Sequence, residues 1–392
     1  MRKQVAIYDP YLDTLGGGER YCLTVAEILL KQGYQVDLFW SGQKDLIDKA
    51  EKRFNLKLKG LEMVPDIFGV KPKKLELIEE SHIHRFIKKT INPHRVKFKF
   101  KNLLQRAKST SKYKILFYIS DGSLPFLFAK KNFLHIQVPF LQNDSSFKNV
   151  TDQPKVKLIN NVICNSQFTA KFQKGTLKKK TLVLYPPVDV DKFTSSDHKE
   201  NIILSVGRFD NILNAKKQDV LIDAFKELAA KNDVKDWQLI FAGGSLIDPQ
   251  KNSYLKYLKK KAKKLPIKFL VNPDFEELKD LYSKSRIYWH AAGYEVDENR
   301  HPESTEHFGM TIVEAMASGL VPVVIAKGGI TEIVEEGENG FLWDNLDELV
   351  YKTKKIIDDS DLLERMSKQS IINCRRFSKE NFEKKLMTII ED

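Results

Sequence analysis

The sequence predicts an α/β protein built from two doubly wound domains, and three features carry that expectation. Short apolar strands alternate with segments of helical periodicity from the first residues onward. The alternation breaks at Pro186-Pro187 and resumes at Ile202-Ile203-Leu204-Ser205-Val206-Gly207. At 392 residues the chain is too long for one ordinary core and suits two domains.

The elements follow in order. Gln4-Val5-Ala6-Ile7-Tyr8 reads as a strand that ends at Asp9-Pro10. Residues 18–32 carry helical spacing through Tyr21, Val25, Ile28 and Leu29, and Gly33 supplies the stop. Further strands are expected at Val36–Trp40, Ile115–Ile119, Phe133–Ile136, Asn161–Cys164 and Thr181–Tyr185. The polar stretch Ser195–Lys199 reads as the linker. Strands at Ile202–Gly207, Gln238–Ala242, Ile267–Leu270, Ile287–His290 and Val321–Ile325 then form a second sheet. The segment 379–391 is an amphipathic helix with Phe382, Leu386, Ile389 and Ile390 on one side. These readings place a first domain at 1–194, a second at 195–375 and a terminal helical segment at 376–392.

Composition narrows the class. A hydrophobic content of 42% indicates a globular chain. Cys22, Cys164 and Cys374 are odd in number and widely spaced, so they read as reduced core residues of a cytoplasmic protein. The apolar run after Met1 stops at Asp9, too short for a signal peptide, and no apolar stretch nears eighteen residues. The net charge of +13 is uneven, with +17 in residues 1–195 and −4 in the rest. Residues 71–114 alone hold 14 basic and 3 acidic side chains. Such asymmetry points to an anionic partner.

The most informative segment is Glu306-His307-Phe308-Gly309-Met310-Thr311-Ile312-Val313-Glu314. A helix starting after Gly309 would direct free N–H groups at the Phe308-Gly309 turn and attract an anion. Eight residues at helical rise span roughly 12 Å, about the extent of a diphosphate with a sugar at each end. One carboxylate could then hold each sugar. Ala315–Val324, Gly328-Gly329 and Glu335–Leu342 extend the pattern with small helix residues, a buried strand and two glycine turns. Together they resemble the E-x7-E region of retaining glycosyltransferases of family 4, which have the GT-B fold of two facing Rossmann-like domains with a cleft between them.

That resemblance implies roles for named residues. Glu306 is expected to hold donor hexose hydroxyls and Glu314 the ribose, with backbone amides at Phe308, Gly309, Met310 and Thr311 completing the pocket. Val206-Gly207-Arg208-Phe209 and the following Lys216 also match the family, whose Arg-Lys pair neutralises a leaving diphosphate. Arg208 and Lys216 are assigned that part, with Lys217 as the alternative lysine. His135, at a strand end, falls where the family has a His touching the donor sugar. Apart from the resemblance, Asp121-Gly122 follows another strand end, where Asp121 could orient the acceptor hydroxyl or simply form a turn. The family's terminal helix returns to the first domain.

Leu15-Gly16-Gly17-Gly18-Glu19-Arg20, between the first strand and helix, admits close backbone approach to a ligand. A nicotinamide site would use this loop with Asp37, but G-x-G-x-x-G would need a glycine at Tyr21. The loop is similar instead to that of cytosol-facing mannosyltransferases that extend lipid-linked oligosaccharides. Mannose from GDP-mannose is therefore the first donor expected, with no metal or other cofactor. Asp189-Val190-Asp191 has a metal-site form but follows Pro186-Pro187, and His82, His84 and His94 lack ligand spacing. A nucleic-acid partner would explain the charge, yet residues 71–114 show no stacking or groove-reading motif. Lys71, Lys73, Lys74, Lys88, Lys89, Arg95, Lys97, Lys99, Lys101, Arg106 and Lys108 instead suggest an anionic membrane surface. The alternation Val96–Lys101 fits either an extended segment or one of a helix pair. A glycan or lipid-linked acceptor and a peripheral place at the inner membrane face follow as expectations.

Overall fold

The computed structural model describes residues 3–43, 45–68, 96–139, 153–173, 177–211, 215–230, 234, 236–245 and 247–391, without the side chains of 96–102. The chain divides into two compact units, Met1–Leu184 with Leu386–Asp392, and Tyr185–Lys385.

The first unit carries a seven-stranded parallel sheet in the order β3-β2-β1-β4-β5-β6-β7. Its strands are β1 Gln4–Tyr8, β2 Gln35–Phe39, β3 Leu61–Val64, β4 Ile115–Ile119, β5 Lys131–Ile136, β6 Asn161–Cys164 and β7 Lys180–Val183. The inner strands are apolar almost throughout, because parallel sheets are covered on both faces, and β4 is buried at every position. Helices α1 Gly17–Lys31, α2 Leu46–Phe54, α3 Val96–Thr110, α4 Gln153–Lys157 and α5 Gln167–Gln173 connect them. The alternating stretch at 96–101 is helical, so its extended alternative is not adopted.

The second unit repeats the plan with six parallel strands in the order β10-β9-β8-β11-β12-β13. They are β8 Ile202–Val206, β9 Gln238–Gly243, β10 Ile267–Val271, β11 Ile287–His290, β12 Val321–Ile325 and β13 Phe341–Trp343. The helices are α6 Gln218–Ala229, α7 Ser253–Lys261, α8 Phe275–Lys284, α9 Met310–Ala317, α10 Leu346–Asp358 and α11 Ser360–Cys374, while α12 Lys379–Glu391 starts in this unit and belongs to the first from Leu386 onward. Side-chain caps begin four of them: Asn252, Asp274, Asn345 and Asp359 each accept a backbone N–H three residues on. Each such cap contributes about 1 kcal/mol. One core runs through this unit from Val188 to Phe377.

The polar stretch read as a linker lies inside the second unit and is bonded to it. Ser196 N donates to Ser283 O, and Lys199 Nζ donates to Ser283 O, Ser285 O and Ser318 O at 3.2, 2.7 and 2.8 Å. At the other end, Lys131 Nζ of β5 donates to Ile390 O in the last turn of α12.

Candidate active site

In an open parallel sheet, ligands bind beyond the C-terminal strand ends where the strand order reverses. In the second unit that point lies between β8 and β11. Gly207-Arg208 leaves the end of β8, and His290 closes β11. The Glu306 segment is brought to the same place by its backbone. Glu306 O accepts from Gly329 N at 2.8 Å, and Gly328-Gly329 lie directly against residues 306–308. A Cβ on Gly329 would stand 2.2 Å from His307 O, so only glycine permits this approach.

The Glu306 carboxylate is the centre of the arrangement. Lys216 Nζ lies 2.5 Å from Glu306 Oε2, and His290 Nε2 lies 3.1 Å from the same oxygen. Ala292 N donates to His290 Nδ1 at 3.3 Å, so the ring's proton sits on Nε2 and is donated to Glu306. Burial by itself would push the Glu306 carboxyl up, but the Lys216 ammonium and the His290 hydrogen bond hold it well below the usual carboxylate range. Burial lowers His290 against the pull of Glu306. His307, next along the chain, places Nε2 on Glu303 O, and burial pushes it down to about 4.

Helix α9 supplies the other half of the site. Gly309, at φ +111°, is its N-cap, with no side-chain cap and no acidic residue in the first turn. The N–H groups there remain directed beyond the helix end. Phe308 is 3% exposed and stacks on Tyr185, with Phe377 against its edge, so its side chain is packed into the unit. Thr311 Oγ1 bonds Tyr288 OH at 2.8 Å, and Tyr282 OH reaches Thr311 O and Glu314 Oε2 at 3.3 Å each. Glu314, one turn on from Met310, is buried. Two tyrosines from β11 and α8 thus fix the first turn of α9.

The structure resolves which lysine meets Glu306. Lys217 adopts a left-handed conformation, φ 54°, and caps α6. It lines a separate hollow of about 410 Å³ with Asn211, Asp219, Tyr254 and Tyr257. Arg208 is half exposed, pairs through Nε with Asp210 at 3.2 Å, and gives its carbonyl to Gln218 Nε2. The structure does not join its guanidinium to the Lys216–Glu306 pair.

The first unit's candidates are arranged differently. Gly16 N donates to Glu19 Oε2 at 2.6 Å, so a carboxylate of the chain itself already sits at the start of α1. Burial, with Glu19 nearby, pushes Asp9 up to about 8. Gly17 opens the helix, and Gly18 leaves room for Gln137, whose Nε2 donates to Gly18 O. His135 is fully buried, 4.2 Å from the Tyr21 ring, and burial pushes it down to about 3. Its side chain presents no surface to a ligand in this structure. Asp121 Oδ1 accepts from Ser123 N and Oγ in the turn after β4.

The remaining residues have local partners. Asp37 is buried mid-strand and bonds Tyr113 OH at 2.6 Å, which removes it from any dinucleotide ribose. Asp189 pairs with Lys192 and Asp191 with Arg375. The three cysteines are buried thiols. Among the described residues no cluster of three His, Cys, Asp or Glu could hold a metal, and no helix is long and apolar enough to cross a membrane. His82, His84, His94 and the basic residues from Lys71 to Arg95 lie outside the described residues. Arg106 is described and donates to Ile67 O and Phe68 O. His290, Tyr282 and Tyr288 were not anticipated from sequence. His290's position at a strand end was the only available signal, and it becomes meaningful once the strand order is known.

Residues 189–372 match the family Glycosyl transferases group 1. A Xenopus laevis protein, GDP-Man:Man(3)GlcNAc(2)-PP-Dol alpha-1,2-mannosyltransferase, is 31% identical over 220 residues, covering 52% of this chain and 42% of its own length. The chain thus spans under half of that relative. An uncharacterized glycosyltransferase of Haemophilus influenzae is 24% identical over 388 residues, covering 94% of each chain. A glycosyltransferase structure from Rickettsia africae superposes with a TM-score of 0.70 at 17% identity, covering 100% of this chain and 98% of that one. The fold is GT-B, with two parallel-sheet Rossmann-like domains.

Proposed function

We propose that this chain, which carries a glycosyltransferase group 1 domain, transfers a hexose from a nucleotide-sugar to a hydroxyl with retention of configuration. The observation that carries the reading is the convergence of Lys216, His290 and Glu306 beside the uncapped start of α9. Glu306 holds donor sugar hydroxyls, and Glu314 takes the ribose. The amides from Phe308 to Thr311 meet the diphosphate. Lys216, with Arg208 turned from Asp210, offsets the charge that develops on the leaving group. That diphosphate accepts the acceptor's proton as the new bond forms on the same face, so no separate general base is required. The cationic side chains and helix end supply the charge that a metal supplies elsewhere, which supports a metal-independent reaction.

GDP-mannose is the proposed donor and a lipid-linked glycan the proposed acceptor. The name of the Xenopus relative supports both. A peripheral place on an anionic membrane follows from the basic segment 71–114. Thermal shifts with GDP-, UDP- and dTDP-sugars test the donor, because a ligand that binds only the folded state raises the melting temperature. A selective rise with GDP-mannose is expected. No rise with any nucleotide-sugar, and none with GDP, UDP or dTDP, would refute the reading.

A further inference from the structure

Two donors hold one oxygen of Glu306, and they differ in kind. Lys216 sits on the loop between β8 and α6, at the end of a long flexible stem. In the proposed function its ammonium is drawn to the leaving diphosphate. His290 cannot follow such a shift. It is 2% exposed, ends a strand registered against Val324 of β12, and is fixed through Nδ1 by Ala292 N–H. Both contacts fall on Oε2, which leaves Oε1 outside the pair.

We propose that His290 is the positioning residue for Glu306, holding Oε2 through its Nε2–H so that Oε1 stays aimed at the donor sugar when Lys216 moves to the diphosphate. The inference rests on the proposed function and deepens it. His290 does not touch substrate and transfers no proton. Its hydrogen bond keeps the carboxylate in one orientation while the sugar moves between leaving group and acceptor. A loose carboxylate would cost more as charge develops than in the ground state, so the effect falls on turnover.

Two substitutions separate this contact from packing. His290→Asn offers an amide oxygen to Ala292 N–H but is too short to reach Glu306. His290→Gln extends an amide N–H to the position of Nε2. Steady-state transfer with GDP-mannose should show kcat reduced at least tenfold in His290→Asn, with the donor KM and the GDP dissociation constant within threefold of wild type. His290→Gln should recover most of that loss. Equal kcat in the Asn, Gln and wild-type proteins would overturn the inference, as would Asn and Gln variants impaired to the same extent. Melting temperatures accompany both, and a fall in activity matched by loss of folded protein in each variant also counts against it. Glu306→Gln serves as the reference. If that variant turns over like wild type, the proposed function fails. If it is impaired while His290→Asn is not, only the positioning role fails.

Discussion

Removing Lys216 should cost more stability than removing the charge it faces. At 2.5 Å and an effective dielectric constant of about 20, the Lys216–Glu306 attraction is roughly 7 kcal/mol before desolvation. Desolvation offsets much of this, since the side chains are only 18% and 15% exposed. Lys216→Met leaves the Glu306 carboxylate with His290 alone, and the expected loss is about 3 kcal/mol. Glu306→Gln costs less, about 1.5 kcal/mol, because the released ammonium can turn to water along its stem. The double variant should lose about 2 kcal/mol, giving a coupling near 2.5 kcal/mol. Urea unfolding followed by tryptophan fluorescence reads this cleanly in a Trp40→Phe background, because Trp237, Trp289 and Trp343 lie in the second unit. Glu306 is depressed, so its contribution is present above its ordinary value of 4.5 and lost as pH falls through the lowered one. The coupling should shrink in acid accordingly. Additive losses at pH 7, with a coupling below about 0.5 kcal/mol, would refute the pairing.

Other outcomes follow from the same geometry. His135 and His307 are neutral when folded, at about 3 and about 4 against 6.5 unfolded, so the unfolded chain binds more protons below pH 6.5. Acid titration of stability should show a loss of about 1.4 kcal/mol per pH unit for each, and His135→Phe should flatten it in the first unit. Gly329→Ala, whose Cβ meets His307 O, should cost about 1–3 kcal/mol and abolish the nucleotide-sugar thermal shift. Gly337→Ala meets nothing within 4 Å, and its left-handed strain of about 1 kcal/mol should leave that shift intact. Transfer should survive excess EDTA; loss restored by magnesium or manganese would reverse the metal-free reading. Sedimentation should show binding to anionic but not neutral vesicles, weakening as salt rises, and equal negligible binding at low salt would point to a soluble acceptor.

The interior strands were legible because they are short, apolar and buried on both faces: β4, β11 and β12 fall on the predicted residues. The edges were less so. β3, Leu61–Val64, is a half-exposed strand interrupted by Glu62, and it carries no apolar run to mark it. Val96–Lys101 alternates like a strand, yet it joins a fifteen-residue helix, because alternation over six residues cannot outweigh the helical continuation to Thr110. The Glu306–Glu314 segment could be read locally, since its turn and helix are consecutive. The partners of Glu306 could not. Lys216 is 90 residues away and His290 is 16, and only the parallel order of β8 and β11 sets them side by side. The choice between Lys216 and Lys217 turned on a single left-handed residue, which sequence spacing does not reveal.

The three carbonyls on Lys199 bear on α9 from its far end. Ser318 closes that helix, and Ser283 and Ser285 lie at the end of α8, so one partly buried ammonium meets the negative ends of two helices. At the opposite end of α9 no side chain caps the peptide N–H groups. An eight-residue helix is short enough for its two ends to oppose each other at any nearby charge. With the negative end offset by Lys199, the positive end acts almost as an isolated partial charge, already oriented before an anion arrives. Burial lowers the lysine to about 8. The field offered at Gly309 is therefore set partly by a proton held at the other end of the helix, and it weakens as the solution turns alkaline.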